Sequence, residues 1–414
     1  MVQNLKSSVG IALWFMFLTF PLVVVRVNTL KDEVEWRWFN MIWIGVGAFV
    51  LSLAWRLAME RRARRTKNSA SSEAQEEESA PSLGLNLLEN ARFYRPVIAA
   101  VLAFAVAFPW LFDAYQVNIM VLALIFMVLG LGLSITVGLA GLLDLGYVAF
   151  FAVGAYTYGI LNRDFDLGFW ASLPIGGLMG ALFGIVLGFP ILRLRGDYLA
   201  IVTLGFGSIT KIILENWEQV TGGAQGIANI SRPGLFGIEM GLEGVTTYIY
   251  YLMIAMVIIA IFVTNRLKDS RIGRAWMALR EDEIACVAMG VDMARTKLSA
   301  YAFGAFWAGL VGVIFAARNT YINPNSFTFM ESAIVLSIVV LGGMGSILGV
   351  IIASLVLILL PEYLRAFSDY RMLVFGAIMV LMMIFRPQGL IANVRRKYEF
   401  KAVKESPDKG MPGQ

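Results

Sequence analysis

The chain has 414 residues, of which 58% are hydrophobic and only 15% charged, against roughly 45–50% and about 25% in soluble domains, a balance that excludes an ordinary soluble globular protein. It has no histidine and a single cysteine, Cys286, which excludes structural disulfides, Cys/His zinc clusters, Cys/His nucleophilic dyads and histidine proton relays. The net charge of +5 comes from Lys and Arg at the ends of apolar runs, the distribution membrane topology produces, so it points to a lipid membrane and not to nucleic acid.

The first run, Val9 to Val25, follows Lys6 and lacks a small-residue cleavage site, so it reads as a retained helix. A second run, Phe39 to Trp55, ends in a basic cluster from Arg56 to Lys67, which places that end in the cytoplasm. Asn68 to Pro81 is rich in Ser, Ala and Glu, has no aromatic residue, and cannot bury enough surface to order itself. Residues 1–67 are therefore expected to form a two-helix membrane extension, 68–94 a disordered cytoplasmic linker, 95–390 the core, and 391–414 a cytoplasmic tail. In the core, apolar segments fall near 97–112, 116–137, 145–161, 169–192, 198–214, 246–264, 298–317, 332–342, 346–360 and 371–385. Many approach the ~20 residues that cross a bilayer. With the two preceding runs they predict an all-α polytopic transmembrane helical bundle of about 10–12 apolar segments.

Walking the parity from a cytoplasmic N-terminus puts Arg193 and Arg195, the stretch from Arg266 to Lys297, and the tail from Arg386 to Lys404 all on the inside. Segment 332–342 is too short to span, which predicts a re-entrant or broken helix paired with 346–360.

Three features stand out as candidate functional elements. Two glycine-rich breaks interrupt apolar sequence: Gly138, Gly141, Asp144 and Gly146 in one half, and Gly342, Gly343 and Gly345 in the other. Matching interruptions in two halves point to a translocation pathway, because unwound backbone at membrane depth must line a cavity or be covered by protein. Close helix packing through small residues is the competing reading, and Asp144 also suits a helix cap. The second feature is the turn-rich loop Glu215 to Gly244, whose Gly222, Gly223, Gln225 and Gly226 suit docking of a soluble binding protein or simply a connector. The third is the inside loop containing Arg280, Glu281, Asp282, Ala285, Ala288 and Gly290. Asp282 is placed to cap a short helix and Gly290 to stop it in a left-handed turn. A compact helix with small residues between two spans can seat in a cytosolic partner, or it is an ordinary surface helix.

No Gly-x-x-x-x-Gly-Lys-Ser/Thr sequence occurs, so the chain has no nucleotide-binding loop of that kind. No carboxylate pair or Ser/Lys arrangement suggests an enzyme, and no catalytic, metal or cofactor residues are expected. An ion-coupled secondary transporter is a rival, but it would need ionisable groups along its path, and Asp144, Lys211, Glu215 and Glu331 lie at segment edges. A channel would need a defined polar filter.

The stretches Gly141 to Tyr156, Arg193 to Gly207, Thr221 to Ile227, Ile272 to Gly290, Val340 to Ser346 and Phe385 to Leu390 resemble the branched-chain amino-acid ABC permeases of the LivM type, over residues 95 to 395. The two-helix extension favours that type over the related urea permeases. The resemblance implies an importer of branched-chain and other apolar amino acids in a bacterial inner membrane, with both termini cytoplasmic. Its implied partners are a homologous second permease, two cytosolic ATP-binding subunits that hydrolyse ATP, and a periplasmic amino-acid-binding protein. It also implies that the segment from Glu281 to Gly290 is the coupling helix, with Arg280 beside it among the residues that couple to the ATP-binding subunits. Family members commonly carry an acidic residue where Ser208 stands and alanine where Cys286 stands.

Overall fold

The computed structural model describes residues 25–28, 33–36, 103–192, 194, 196–234, 242–363, 376, 380 and 389–390. Most of the expected N-terminal extension, the linker at 68–94, Arg193, Arg195, nearly all of the segment at 371–385 and the tail at 391–414 lie outside the described residues. Within the extension, β1 (Val25–Asn28) and β2 (Glu33–Trp36) form a two-stranded antiparallel ribbon with Arg26 opposite Glu35. Sequence reading left this stretch as a connection and ended the first apolar run at Val25, which is strand; valine alternating with polar residues over so few positions has a period of two.

The core is helical, as the composition requires. After helical residues 103–111 come α1 (Ala114–Leu133), α2 (Val148–Phe165), α3 (Phe169–Ile191), α4 (Asp197–Asn216), α5 (Leu242–Lys268), α6 (Arg271–Glu281), α7 (Glu283–Ala288), α8 (Met293–Asn319), α9 (Phe329–Gly342) and α10 (Ile347–Tyr363). Among the described residues six helical stretches are long and apolar enough to cross a membrane, so the chain is a multi-pass membrane bundle. At 1.5 Å per residue, the 27 residues of α8 reach about 40 Å, beyond the ~30 Å hydrocarbon thickness.

Two breaks shape the bundle. Helix α1 does not end cleanly but continues as a π-helical stretch, Ser134–Leu139, before the chain unwinds through residues 140–147. Helices α9 and α10 pair across a tight turn in which Gly343 and Gly345 adopt φ of 102° and 81°. The expectation that 332–342 is too short to span is revised: helix α9 starts at Phe329, and with the turn from Pro324 the stretch reaches 19 residues. Glu331 in its first turn cut the apolar run in the sequence without ending the helix.

Helix α8 is the hub, packed on α3, α2 and α1, while α1 in turn packs on α5, α10 and α9. The reason lies in residue size. Gly309 of α8 meets Gly154 of α2 and Gly176 of α3 so closely that a Cβ at any of the three would overlap backbone or a packed side chain. Without a hydrophobic drive between helices in lipid, close backbone contact of this kind is what holds them together.

Candidate functional site

The site is built at the end of the bundle where α8 begins. Ser270 caps α6, its Oγ accepting from Gly273 N at 3.1 Å, and α6 buries Gly273, Trp276 and Leu279. Trp276 Nε1 donates to Thr296 O (3.1 Å) and Ser299 Oγ (3.0 Å), fastening α6 to the first turns of α8. The chain then turns at Asp282, whose Oδ1 accepts from Ile284 N (2.8 Å) and Ala285 N (3.0 Å), satisfying the orphan donors that begin α7. Gly290, at φ 82°, leads the chain out of the helix, and Asp292 caps α8 by accepting from Arg295 N at 3.1 Å.

Helix α7 is rooted by charge and exposed by design of its sequence. Glu283 Oε1 lies 2.8 Å from Nζ of Lys297, whose side chain is fully buried, and Cys286 also faces inward. The outer surface carries Ala285 and Ala288 together with Ile284, Val287 and Met289, which are 70%, 52% and 84% exposed. Ile284 and Val287 on this short capped helix and Met289 at its end thus leave large apolar surface exposed.

Arg280 points the other way. Its Nη1 donates to Gly138 O at 2.5 Å and its aliphatic stem lies on Gly141, which has φ 72° and admits no Cβ beneath that stem. Glu281 is exposed. A Cβ at Gly138 would in turn come within 2.6 Å of Gly345 N, so the two glycine breaks touch each other directly below Arg280. Around them Asp144 is buried, its Oδ1 accepting from Gly146 N at 2.9 Å. Leu145 N donates to Thr203 Oγ1 (3.0 Å), Val148 N to Ser332 Oγ (3.1 Å) and Tyr147 OH to Gly304 O (2.9 Å), tying the unwound segment to α4, α9 and α8. Gly342 packs on Gly349 across the α9–α10 turn, and Leu390 N donates to Leu341 O at 2.8 Å.

Two of the three sequence features are therefore brought together. Gly138, Gly141, Asp144, Gly146, Gly342, Gly343 and Gly345 pack closely in this structure, and all but Gly141 are buried. The third feature lies at the opposite end of α8. Ile227 and Ile322 exchange backbone hydrogen bonds (2.9 and 3.0 Å) and Tyr321 OH donates to Gln225 O at 2.8 Å. Gly222, Gly223 and Gly226 all have positive φ, and Gly226 lies against Ile322 O, so the loop's own fold accounts for these glycines. Of the four, Gln225 is the one left exposed.

The profile of the family described as "Branched-chain amino acid transport system / permease component" matches residues 115–383. The chain belongs to this permease family. It is 43% identical over 396 residues to "High-affinity branched-chain amino acid transport system permease protein LivM" of Escherichia coli strain K12, covering 91% of this chain and 89% of the relative. It is 47% identical over 325 residues to the protein of the same description from Salmonella typhimurium, covering 74% and 76%. A more distant likeness, 23% over 283 residues and 64% and 90% of the two chains, is to the permease protein LivH of Escherichia coli K12. No solved structure matches. Every candidate residue of the permease named above falls inside the matched region.

Sequence reading missed Lys297 and Trp276. Lys297 was taken as one more inside charge flanking a span, whereas the structure buries it against Glu283. The available signal was a lone lysine adjoining an apolar run, which needs a buried carboxylate partner to be tolerated.

Proposed function

We propose that this chain is the LivM-type permease subunit of an ATP-driven importer that carries branched-chain amino acids across a bacterial inner membrane. It works with a homologous second permease, two cytosolic ATP-binding subunits and a periplasmic amino-acid-binding protein. The observation that carries the reading is α7: a capped helix with an apolar outer face, rooted in α8 through Glu283 and Lys297. In this reading α7 seats in an ATP-binding subunit. A push on it travels by two routes, through the buried ion pair into α8 and through Arg280 into the contact between the two glycine breaks. That contact is where α1 and the α9–α10 turn shift against each other to admit solute. The α6–α7 end then faces the cytoplasm, and the loop from Thr221 to Ile227 faces the periplasm, offering Gln225 to the binding protein.

The test is uptake into proteoliposomes holding the whole complex, with labelled leucine, isoleucine, valine and urea. ATP-dependent uptake of the three amino acids and not of urea is expected; ATP hydrolysis stimulated by the binding protein without amino-acid uptake would refute the assignment. Reporters fused after Lys67 and Lys397 should give cytoplasmic signals, and one at Gly234 a periplasmic signal.

A further inference from the structure

A cavity of about 170 Å³ opens at the end of the bundle away from α7, between the start of α1, the start of α5 and the end of α8. On this scale it holds on the order of ten waters, or a small solute. Its walls are of two kinds. Arg318 and Arg232 supply guanidinium groups beside Asn118, and Val121, Val245 and Ile249, all buried, supply aliphatic surface.

Arg318 is held in place and not used up. Its Nε and Nη2 donate to Asn118 Oδ1 at 3.1 and 2.6 Å, and Nη2 also donates to Asn118 O at 3.0 Å, while Nη1 pairs with none of the described residues. Neither arginine is ion-paired with a described residue, and no carboxylate lines the cavity. Guanidinium groups at a pocket without a carboxylate of its own suit one from the ligand, to which Arg318 offers Nη1 and Arg232 its fork of donors. A pocket with apolar walls and a few convergent polar groups is the general form of a small-solute site.

We propose that this cavity is a loading site for the transported solute, in which Arg318 and Arg232 hold the α-carboxylate of a free aliphatic amino acid and Val121, Val245 and Ile249 its side chain. This rests on the reading of the chain as an amino-acid permease and adds a direct contact between permease and solute.

The complex without its binding protein, in nanodiscs, is examined by saturation-transfer NMR against empty nanodiscs, with leucine, 4-methylpentanoate, which lacks the ammonium, and 3-methylbutylamine, which lacks the carboxylate. Leucine and 4-methylpentanoate are expected to show transfer, strongest on their methyl protons, and the amine none. Arg232→Gln should weaken leucine at least several-fold and Arg318→Gln at least tenfold. Because Arg318 also braces Asn118, Val245→Phe serves as an independent variant that fills the cavity and leaves both arginines. Transfer that is equal for the amine, or that survives both Arg232→Gln and Val245→Phe, would overturn the proposal. So would transfer abolished by phosphatidylglycerol in the bilayer with uptake unchanged, which would assign the arginines to lipid phosphate. Leucine uptake by the full wild-type system without any saturation transfer sinks the loading site alone, whereas absence of uptake under active ATP hydrolysis sinks both the loading site and the amino-acid permease assignment.

Discussion

Helices α8 and α4 are both apolar enough to cross a membrane, yet 78% of the apolar stretch of α8 is buried inside the bundle against 22% of that of α4. The difference follows residue shape. Helix α8 presents Ala300, Gly304, Ala305, Ala308, Gly309 and Gly312, all buried, and neighbours come up to its backbone. Helix α4 presents Tyr198, Ile201, Ile209 and Ile212, all exposed, which suit lipid tails or another subunit. Hydropathy puts a helix in the membrane; the size of its side chains decides whether it meets protein there.

The strongest way to break this contrast is Gly309→Val. The new side chain would overlap Gly176 of α3, and overpacking of this kind has no soft neighbour to displace. We expect at least a tenfold loss of monodisperse permease after solubilisation, and normal yield would show that the helices have room to part. Lys297→Met comes next, because it removes the ammonium that Glu283 faces at 2.8 Å in a largely buried place, a cost of about 3–5 kcal/mol for a broken buried pair. A lowered melting temperature is expected, with most of it restored by adding Glu283→Gln; no restoration would mean that Lys297 acts by packing alone. Ala288→Glu on the exposed face of α7 should leave abundance unchanged while uptake falls several-fold and the ATP-binding subunits are lost on co-purification. The smallest effect is expected on α4, where Ile212→Ala should stay within about 0.5 kcal/mol. Ile212→Trp sharpens the point: retained co-purification of the second permease marks a lipid face, and its loss marks a subunit contact.

Much of this was legible in the sequence where the physics is local. The cap at Asp282 and the stop at Gly290 depend on hydrogen bonds and torsions within a few residues, so α7 could be read directly, whereas the exposure of Ile284, Val287 and Met289 depends on what packs against the helix and has no local signal. The glycine breaks were legible as breaks but not as partners, because Gly138 and Gly345 meet only after the intervening helices have folded back. Arg280 was legible as a charge of the loop between two spans, but its bond to Gly138 O spans 142 positions and leaves no periodic trace. The start of α9 was hidden because a single glutamate ends an apolar run without ending a helix.

The meeting of Gly154 with Gly309 also sets a timetable for biogenesis. About 155 positions separate them, so at ~5–20 residues per second of synthesis helix α2 is made roughly 8–30 s before its partner emerges. During that interval the faces of α2 and α3 that α8 covers in the finished bundle lack their final partner. The nascent chain therefore waits, half-assembled, for α8 to close it.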